Sequence, residues 1–275
     1  MANRYIKVLI VAPTFLSAIH TAMCEHFKKL FKPEEIVIRS VTGETDVQKQ
    51  RLEQALTQTN PTALIAMDIR PDPDTIAAYT AVNVPIVLLD EDAVGVSTIT
   101  VDNFTGGRLA GEYFIAKGRK RIAIVSGRTQ IKGGYNAEQR LKGFLQALSA
   151  AGLSVPPGCK IEVINYSRED GVEVMPKLLD IGVDAIFCAA GDNTASGLLS
   201  AARERGTRIP EDVAVMGFDD LFIAQVSTPK LTTIRQPLKE MADTAYKMAV
   251  LQKAEILQKP QKVTFNPEII VRQSA

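Results

Sequence analysis

Two adjacent carboxylates follow a long apolar run, and this placement suits them to bind a polar small molecule. Asp219 and Asp220 come directly after Val213–Phe218. The unbroken apolar character of that run predicts a strand buried on both faces of a parallel sheet. Open α/β sheets bind their ligands at the carboxyl ends of such strands, where the next helix also offers free N–H groups. We therefore expect Asp219 to contact a ligand and Asp220 to cap the following helix.

A second chemically capable side chain, Arg140, lies early in a helix predicted over residues 137–151. A positive charge opposes the helix dipole at that position, so helix formation alone does not favour an arginine there. The residue borders the apolar stripe that runs from Leu141 to Leu148. Its planar fork of donors suits a pair of hydroxyls or a carboxylate. We expect a ligand contact, and the alternative is an arginine in a surface ion pair.

Strands and helices that alternate along the whole chain must position these side chains. Apolar runs predict strands at 6–11, 36–39, 63–67, 85–90, 97–101, 122–125, 161–164, 185–189 and 213–218. Helical patterns lie between most of them, at 15–30, 45–57, 74–82, 103–117, 137–151, 170–181 and 193–205. This alternation predicts an α/β fold with doubly wound parallel sheets.

The composition describes a soluble globular protein without a basic surplus. The chain has 275 residues, of which 46% are hydrophobic and 23% charged, and its formal net charge is +1. An autonomous nucleic-acid-binding domain would carry an excess of Lys and Arg. The cysteines, Cys24, Cys159 and Cys188, are odd in number and widely spaced, which favours free thiols in a reducing compartment. No run near the start is long enough for a membrane span or a signal segment, so we expect a cytoplasmic protein that does not bind a membrane.

Motifs for catalysis are absent from the sequence. It lacks the phosphate-binding loop, the nucleophile elbow, the zinc-protease helix and the dinucleotide fingerprint. Its two histidines, His20 and His26, are six residues apart on one predicted helix, a spacing that does not suit a metal ion. We expect no enzyme activity, no metal and no cofactor.

Several ordered motifs resemble those of the ligand-binding core of lactose-repressor-type (LacI/GalR family) transcriptional regulators. The most specific are V-x-V-x-G-F-D-D at 213–220 and P-x-L-T-T-I-x-Q-P at 229–237. D-N-x-x-G-G-x-x-A at 102–110 and N-P-E-I-I-V-R at 266–272 extend the likeness over nearly the whole chain. The resemblance implies a periplasmic-binding-protein-like fold of type I, with two doubly wound parallel-sheet lobes joined by three crossings.

The same resemblance implies a division of the chain into two lobes, with a ligand in the cleft between them. The N-terminal lobe would comprise residues 4–118 plus 236–258, and the C-terminal lobe residues 119–235 plus 259–275. The strands of the last segment, over 263–272, would thus belong to the C-terminal lobe. Glycine and proline at the expected crossings, near Gly118, Pro237 and Pro260, agree with this division.

Further ligand contacts also follow from the resemblance. Arg140 lies in the family's R-x-x-G-F motif, and Gln236 matches a position that lines the cleft. Tyr166 lies where the family carries an aromatic ring that covers the ligand, and a flat ring suits the face of a sugar or of a base. A tyrosine with no role beyond its loop is the alternative.

Two departures from the family pattern concern the remaining predicted contacts. Phe15 and Leu16 stand where the family has a pair of aromatic residues, so the aliphatic Leu16 removes one stacking partner. Phe15 is either a ligand contact or a packing residue at a helix start. Where the family reads N-D, this chain has Gly191-Asp192, which removes an amide that would bond ligand hydroxyls. Asp192 is either a ligand contact or the N-cap of the next helix.

These residues favour a neutral sugar over a purine as the small-molecule effector. The family's regulators dimerise and bind operator DNA through a helix-turn-helix headpiece, which we expect to be absent from this chain. The predicted dimer surface consists of Leu221, Phe222, Ile223 and the small-residue helix Ala195–Ala202. The predicted function is that of an effector sensor, and the alternative is a stand-alone cytoplasmic protein that binds a sugar or a purine.

Overall fold

The chain folds into two compact units. The computed structural model describes residues 6–13, 17–42, 45–129, 135–253 and 259–275. Unit 1 contains Met1–Val101 and Pro237–Phe265, and unit 2 contains Asp102–Gln236 and Asn266–Ala275. The chain therefore passes between the units after residues 101, 236 and 265.

Strands and helices alternate through the described residues as the sequence predicts. In chain order they are β1 (Val8–Ala12), α1 (Ala18–Leu30), β2 (Ile36–Ser40), α2 (Thr45–Thr59), β3 (Ala63–Met67), α3 (Pro73–Ala81), β4 (Ile86–Leu89), β5 (Ser97–Val101), α4 (Asn103–Ala116), β6 (Ile122–Ser126), α5 (Tyr135–Ala150), β7 (Lys160–Glu162), α6 (Arg168–Ile181), β8 (Ala185–Cys188), α7 (Asp192–Glu204), β9 (Ala214–Asp219), α8 (Phe222–Val226), β10 (Thr232–Arg235), α9 (Leu238–Lys253), β11 (Lys262–Phe265) and β12 (Glu268–Ile270).

Each unit contains one six-stranded sheet, and the two sheets have the same kind of strand order. The first sheet, in unit 1, runs β11-β5-β4-β3-β1-β2, and its strands pair in parallel. The second sheet, in unit 2, runs β12-β10-β9-β8-β6-β7, with β12 antiparallel to β10 and the other pairs parallel. This arrangement confirms the predicted α/β fold with two doubly wound parallel sheets.

Apolar strands covered by helices on both faces form the cores. Every residue of β1, β3, β4, β6, β8 and β9 is buried. In unit 2 the two faces of the sheet carry separate clusters, one centred on Met175 and Leu198 and the other on Phe144, Phe187 and Phe218. Strands buried on both faces read as continuous apolar runs, which is why their positions could be predicted.

Two segments lie in the other unit from the one predicted. Helix α4, within the predicted N-terminal lobe, belongs to unit 2 because its backbone packs closely against α5. Strand β11, within the predicted C-terminal lobe, pairs in parallel with β5 in the first sheet. The Thr264 and Thr100 hydroxyls are hydrogen-bonded at 3.1 Å across that pair. Helix α9 belongs to unit 1.

The predicted dimer surface is only partly exposed. Leu221 is 8% exposed. Residues 195–202 of α7 are buried inside unit 2, because α7 packs against α6 and β9. Phe222 and Val226, one turn apart on α8, are 75% and 52% exposed. The exposed apolar surface of this region is therefore confined to α8 and does not include α7. None of the helices in the described part of the chain is long and apolar enough to cross a membrane.

Candidate functional site

The carboxyl edge of the second sheet brings together most of the predicted ligand contacts. Strands β8, β9 and β10 are parallel neighbours and end at Cys188, Asp219 and Arg235. In the register of the sheet Arg235 lies opposite Asp219. The residues just beyond these strand ends therefore share one edge of unit 2, which is where doubly wound sheets bind ligands.

Asp219 and Gln236 form a buried polar pair at the centre of this edge. Gln236 Nε2 donates a hydrogen bond of 2.6 Å to Asp219 Oδ1. Gln236 is 3% exposed and Asp219 is 8% exposed. The other atom of the amide, Gln236 Oε1, is buried and accepts no hydrogen bond from any residue that the structure describes. A buried acceptor left without a donor destabilises a protein by about 1–3 kcal/mol. This oxygen is therefore well suited to accept from a bound molecule.

Arg140 lies over the same edge and is held in one orientation. Its Nε donates to Asn103 Oδ1 at 2.7 Å, and its Nη1 donates to the Ala189 carbonyl, just beyond β8, at 2.9 Å. Its guanidinium carbon lies 3.6 Å from the centre of the Phe218 ring. Among the described residues none accepts from Nη2. A guanidinium fixed by stacking and two hydrogen bonds keeps these remaining donors for a ligand.

Close packing of α4 against α5 sets the position of this arginine. A side chain at Gly107 would collide with the Arg140 carbonyl, and one at Gly143 would collide with the Phe104 carbonyl. The two backbones can approach this closely only because both positions are glycine. Asn103, at the start of α4, also donates to Asn136 Oδ1 at 3.1 Å. The glycines and Asn103 thus fix the first turns of α5, which carry Arg140.

Tyr166 lies between β7 and α6, with its ring against the loop that follows β6. Its hydroxyl accepts a hydrogen bond of 3.0 Å from the Arg128 backbone N–H, and its ring is packed against Gly127. The residue is 36% exposed, with φ at 56°. A left-handed conformation is uncommon for an aromatic residue and signals a functional or structural constraint. The ring is packed against Gly127, the Arg128 guanidinium carbon lies 5.8 Å from its centre, and part of its surface remains accessible.

Asp220 does not cap a helix, so that prediction is wrong. Its carboxylate accepts from Arg235 Nε at 2.7 Å and from Arg272 Nη2 at 2.5 Å. Helix α8 instead begins after Leu221, which makes no side-chain cap. Because two guanidinium groups surround a side chain that is only 5% exposed, the carboxylate forms strong paired bonds instead of binding the N-terminus of α8.

Asp192 is neither the N-cap of α7 nor exposed to a ligand. The N-cap is Gly191, and Asp192 is the first residue of the helix, with 0% exposure. Its two carboxyl oxygens accept from Thr233 Oγ1 at 2.6 Å and from the Leu221 N–H at 2.7 Å. Burial, together with the nearby charge of Asp219, raises the pKa of this carboxyl well above its ordinary value. Its oxygens are directed into unit 2.

The site thus combines four of the predicted residues with two that sequence reasoning missed. Phe15 and Leu16 lie outside the described residues. Asn103 and Phe218, which orient Arg140, were not predicted as site residues, although Asn103 stands in the D-N-x-x-G-G motif. The edge offers fixed N–H donors, a carboxylate, a buried amide oxygen and a ring. Within the described ranges no group of three or more His, Cys, Asp or Glu side chains could hold a metal ion.

Comparison with known proteins identifies the family. The sequence profile described as a periplasmic binding protein-like domain matches residues 112–275. The transcriptional regulator DegA of Bacillus subtilis (strain 168) is 32% identical over 193 residues, 70% of this chain and 56% of DegA. The transcriptional repressor PurR of Escherichia coli O1:K1 is 33% identical over 197 residues, again 70% of this chain and 56% of PurR. The matched part therefore spans about half the length of these curated relatives.

Solved structures agree with this assignment. The transcriptional regulator CelR, solved with cellobiose, is 25% identical, covers 100% of this chain and 86% of its own, and superimposes with a TM-score of 0.80. These relatives are regulators and not enzymes, in agreement with the predicted class. The chain therefore belongs to the periplasmic binding protein-like domain family and has the ligand-binding core of LacI-type transcriptional regulators.

Proposed function

We propose that this chain is the effector-sensing domain of a LacI-type transcriptional regulator and binds a neutral sugar at the carboxyl edge of the second sheet. The observation that carries the proposal is the buried oxygen of Gln236, which has no donor among the described residues although its amide nitrogen is bonded to Asp219. A sugar hydroxyl supplies a donor for this oxygen and can at the same time accept from a neighbouring group.

The balance of charge around this oxygen favours a neutral ligand. Arg140 offers the Nη2 donors, and the Asp219 carboxylate lies at the end of β9, next to the strand that leads into Gln236. The other arginines of this edge, Arg235 and Arg272, are paired with Asp220. An arginine and a carboxylate together satisfy the donors and acceptors of vicinal hydroxyls. The accessible part of the Tyr166 ring suits the C–H face of a sugar. A phosphorylated ligand would call instead for a cluster of cations.

The relatives support the same reading. CelR was solved with cellobiose, a neutral sugar, and DegA and PurR are named as transcriptional regulators. We infer that the sugar acts as an effector and that operator DNA is bound through a headpiece joined to this domain, in the cytoplasm. A purine is the rival ligand, because a ring, an arginine and a carboxylate would serve it too.

A thermal-shift screen of neutral sugars, sugar phosphates and purines tests the ligand class, since a ligand that binds only the native state raises the melting temperature. We expect a neutral sugar to stabilise the chain, and Arg140→Ala and Asp219→Ala to abolish that shift. Arg208→Ala, which removes an exposed pair with Asp212, is the matched control and should retain the shift. Stabilisation by purines or sugar phosphates alone would contradict the proposal.

We further propose that the domain forms a homodimer through α8. Phe222 and Val226 present an exposed apolar face, and a two-fold contact that covers it on both copies would remove it from water. Sedimentation equilibrium should show a dimer for the parent chain and a monomer for Phe222→Glu. A parent chain that stays monomeric at high concentration would refute this part of the proposal without affecting the ligand site.

A further inference from the structure

The buried carboxyl of Asp192 connects three elements of unit 2. It starts α7, it accepts from Thr233 in β10, and it accepts from the Leu221 N–H between β9 and α8. Leu221 precedes α8 and follows directly on Asp219 and Asp220. A single side chain thus holds the far end of the turn that carries the central carboxylate of the site.

The neighbouring strand leaves room for this carboxyl. A side chain at Gly217, in the middle of β9, would collide with Asp192 Oδ1 and would also come within 2.8 Å of Leu231 Cδ2. Glycine weakens a strand interior, and it commonly marks a place where another group approaches the backbone closely. The glycine in β9 and the threonine in β10 therefore form a fitted receptor for the Asp192 side chain.

The turn that Asp192 holds is one that ordinary residues rarely adopt. Asp219 has φ at 109° and Asp220 has φ at 59°, so two consecutive non-glycine residues lie in the left-handed region. Each such residue is strained and persists only where the surroundings fix it. Gln236 fixes Asp219, two arginines fix Asp220, and Asp192 fixes the Leu221 amide.

We propose that Asp192 is a positioning residue for ligand binding: by holding the Leu221 amide, it keeps the Asp219–Leu221 turn in the conformation that presents the Asp219 carboxylate to a ligand. The inference rests on the proposed function, because it assigns Asp192 a task in the same site. It replaces the direct ligand contact predicted from the sequence with an indirect role, since the side chain is buried and both of its oxygens accept from the protein.

Amide hydrogen exchange by NMR tests the positioning role without any ligand. In the parent chain the Leu221 amide should exchange slowly although it lies outside regular structure, and a rapidly exchanging Leu221 amide would overturn the proposal. In Asp192→Ala its protection should fall about tenfold or more beyond any change at Ile124 in β6. A fall that is equal at both amides would make Asp192 a general stabiliser and would also overturn the proposal.

Two further variants separate the Leu221 contact from the rest of the network. Asp192→Asn retains an oxygen that can accept from the Leu221 N–H, so it should keep that amide protected. Thr233→Val removes only the bond to Asp192 Oδ1 and should likewise leave Leu221 protected. Loss of Leu221 protection in Thr233→Val but not in Asp192→Ala would assign the positioning role to β10 and overturn the proposal.

Calorimetric titration with cellobiose and with ribose connects the turn to binding. The Kd of whichever sugar the parent chain binds should rise about tenfold in Asp192→Ala and change less than about twofold in Asp192→Asn. An unchanged Kd in Asp192→Ala would overturn the proposal. If the parent chain binds neither sugar, the proposed sugar-sensing function loses its support, and the exchange of the Leu221 amide still decides whether Asp192 holds the turn.

Discussion

The two sheets share one kind of strand order, yet Asp68 at the carboxyl edge of the first is far more exposed than Asp192, Asp219 and Gln236 at the carboxyl edge of the second. At the edge of the first sheet, Asp68 follows β3, pairs with His20 at 2.7 Å, and has a side chain that is 43% exposed. At the edge of the second sheet, Asp192, Asp219 and Gln236 are 0%, 8% and 3% exposed. Topology therefore brings polar residues to both edges, and other features decide whether water reaches them.

Those features are the close approaches around the second edge. Glycines at 107, 143 and 217 let backbones and the Asp192 carboxyl come closer than any side chain would allow. Polar groups packed in this way interact strongly, because the local dielectric is low, and each one is costly to leave without a partner. The second edge should accordingly tolerate substitution much less than the first.

The largest expected effect comes from filling the contact between α4 and α5. Gly143→Ala should lower the free energy of unfolding by about 3 kcal/mol or more, because its Cβ would collide with the Phe104 carbonyl. Gly95→Ala in unit 1 is the control, since nothing lies within 4 Å of a Cβ there and only its φ of +84° resists the change. It should cost about 1–2 kcal/mol. Urea unfolding measures both variants, and equal losses would contradict the comparison.

A smaller loss is expected when one carboxylate is removed from each edge. Asp220→Ala leaves Arg235 and Arg272 without their shared partner and should lower the free energy of unfolding by about 2–3 kcal/mol. Asp68→Ala removes a carboxylate that is 43% exposed from the buried ring of His20 and should cost less, about 1 kcal/mol. Chemical denaturation of the two variants in parallel provides the test. A costlier Asp68→Ala would show that burial does not separate the two edges.

The sequence sufficed to locate the ends of the strands, because the signal for a buried strand is local. The run at 213–218 became β9 (Ala214–Asp219), which puts Asp219 at the predicted edge. Arg140 and Gln236 also reach this edge, and they were expected from motifs in which each residue has a fixed place. The positions of these candidate side chains in the fold could thus be predicted wherever a strand end or a short motif determined them.

The roles of Asp192 and Asp220 could not be predicted, since their partners are distant in the sequence. Thr233 is 41 residues from Asp192, and Arg272 is 52 residues from Asp220. Local reasoning gave Asp220 the role of a helix cap and left Asp192 as either a helix cap or a ligand contact, because capping is the commonest use of an aspartate before a helix. Likewise, nothing within β11 itself shows which sheet it joins, because a short strand pairs with whichever edge the tertiary fold brings to it.

The buried carboxyl of Asp192, at the edge of the second sheet, should make the stability of the protein depend on pH. Its pKa is raised above the ordinary 3.8 by burial and by the charge of Asp219, so the folded state keeps a proton that the unfolded state has lost. The stability that this proton contributes is complete below pH 3.8 and is lost as the pH rises through the folded-state pKa. The fall is at most about 1.4 kcal/mol per pH unit. Asp192→Asn has no ionisable proton at this position. Its free energy of unfolding, measured with urea between pH 3.8 and the folded-state pKa of Asp192, should therefore depend less on pH than that of the parent chain. An equal pH dependence in the two proteins would contradict this prediction.

The smallest effects are expected from two tyrosine hydroxyls, one in each unit. Tyr79 in unit 1 is fully buried, and its hydroxyl donates to the Leu52 carbonyl at 2.9 Å. Tyr79→Phe should lower the free energy of unfolding by about 1 kcal/mol, a typical value for one hydrogen bond. Tyr166→Phe should cost less than about 0.5 kcal/mol, because water can satisfy the Arg128 N–H once the exposed hydroxyl is gone.

For sugar binding, substitution of Tyr166 should have the larger effect, whereas for stability substitution of Tyr79 does. Tyr166→Ala removes the ring that is packed against Gly127 and still 36% exposed, so it should weaken sugar binding about tenfold while the melting temperature without sugar changes little. Tyr79→Phe should leave the Kd unchanged, because its hydroxyl donates to the Leu52 carbonyl within unit 1. Calorimetric titration and thermal unfolding of the same samples test both halves of the argument. If Tyr79→Phe weakened binding as much as Tyr166→Ala, the ligand site could not be ascribed to the edge of the second sheet.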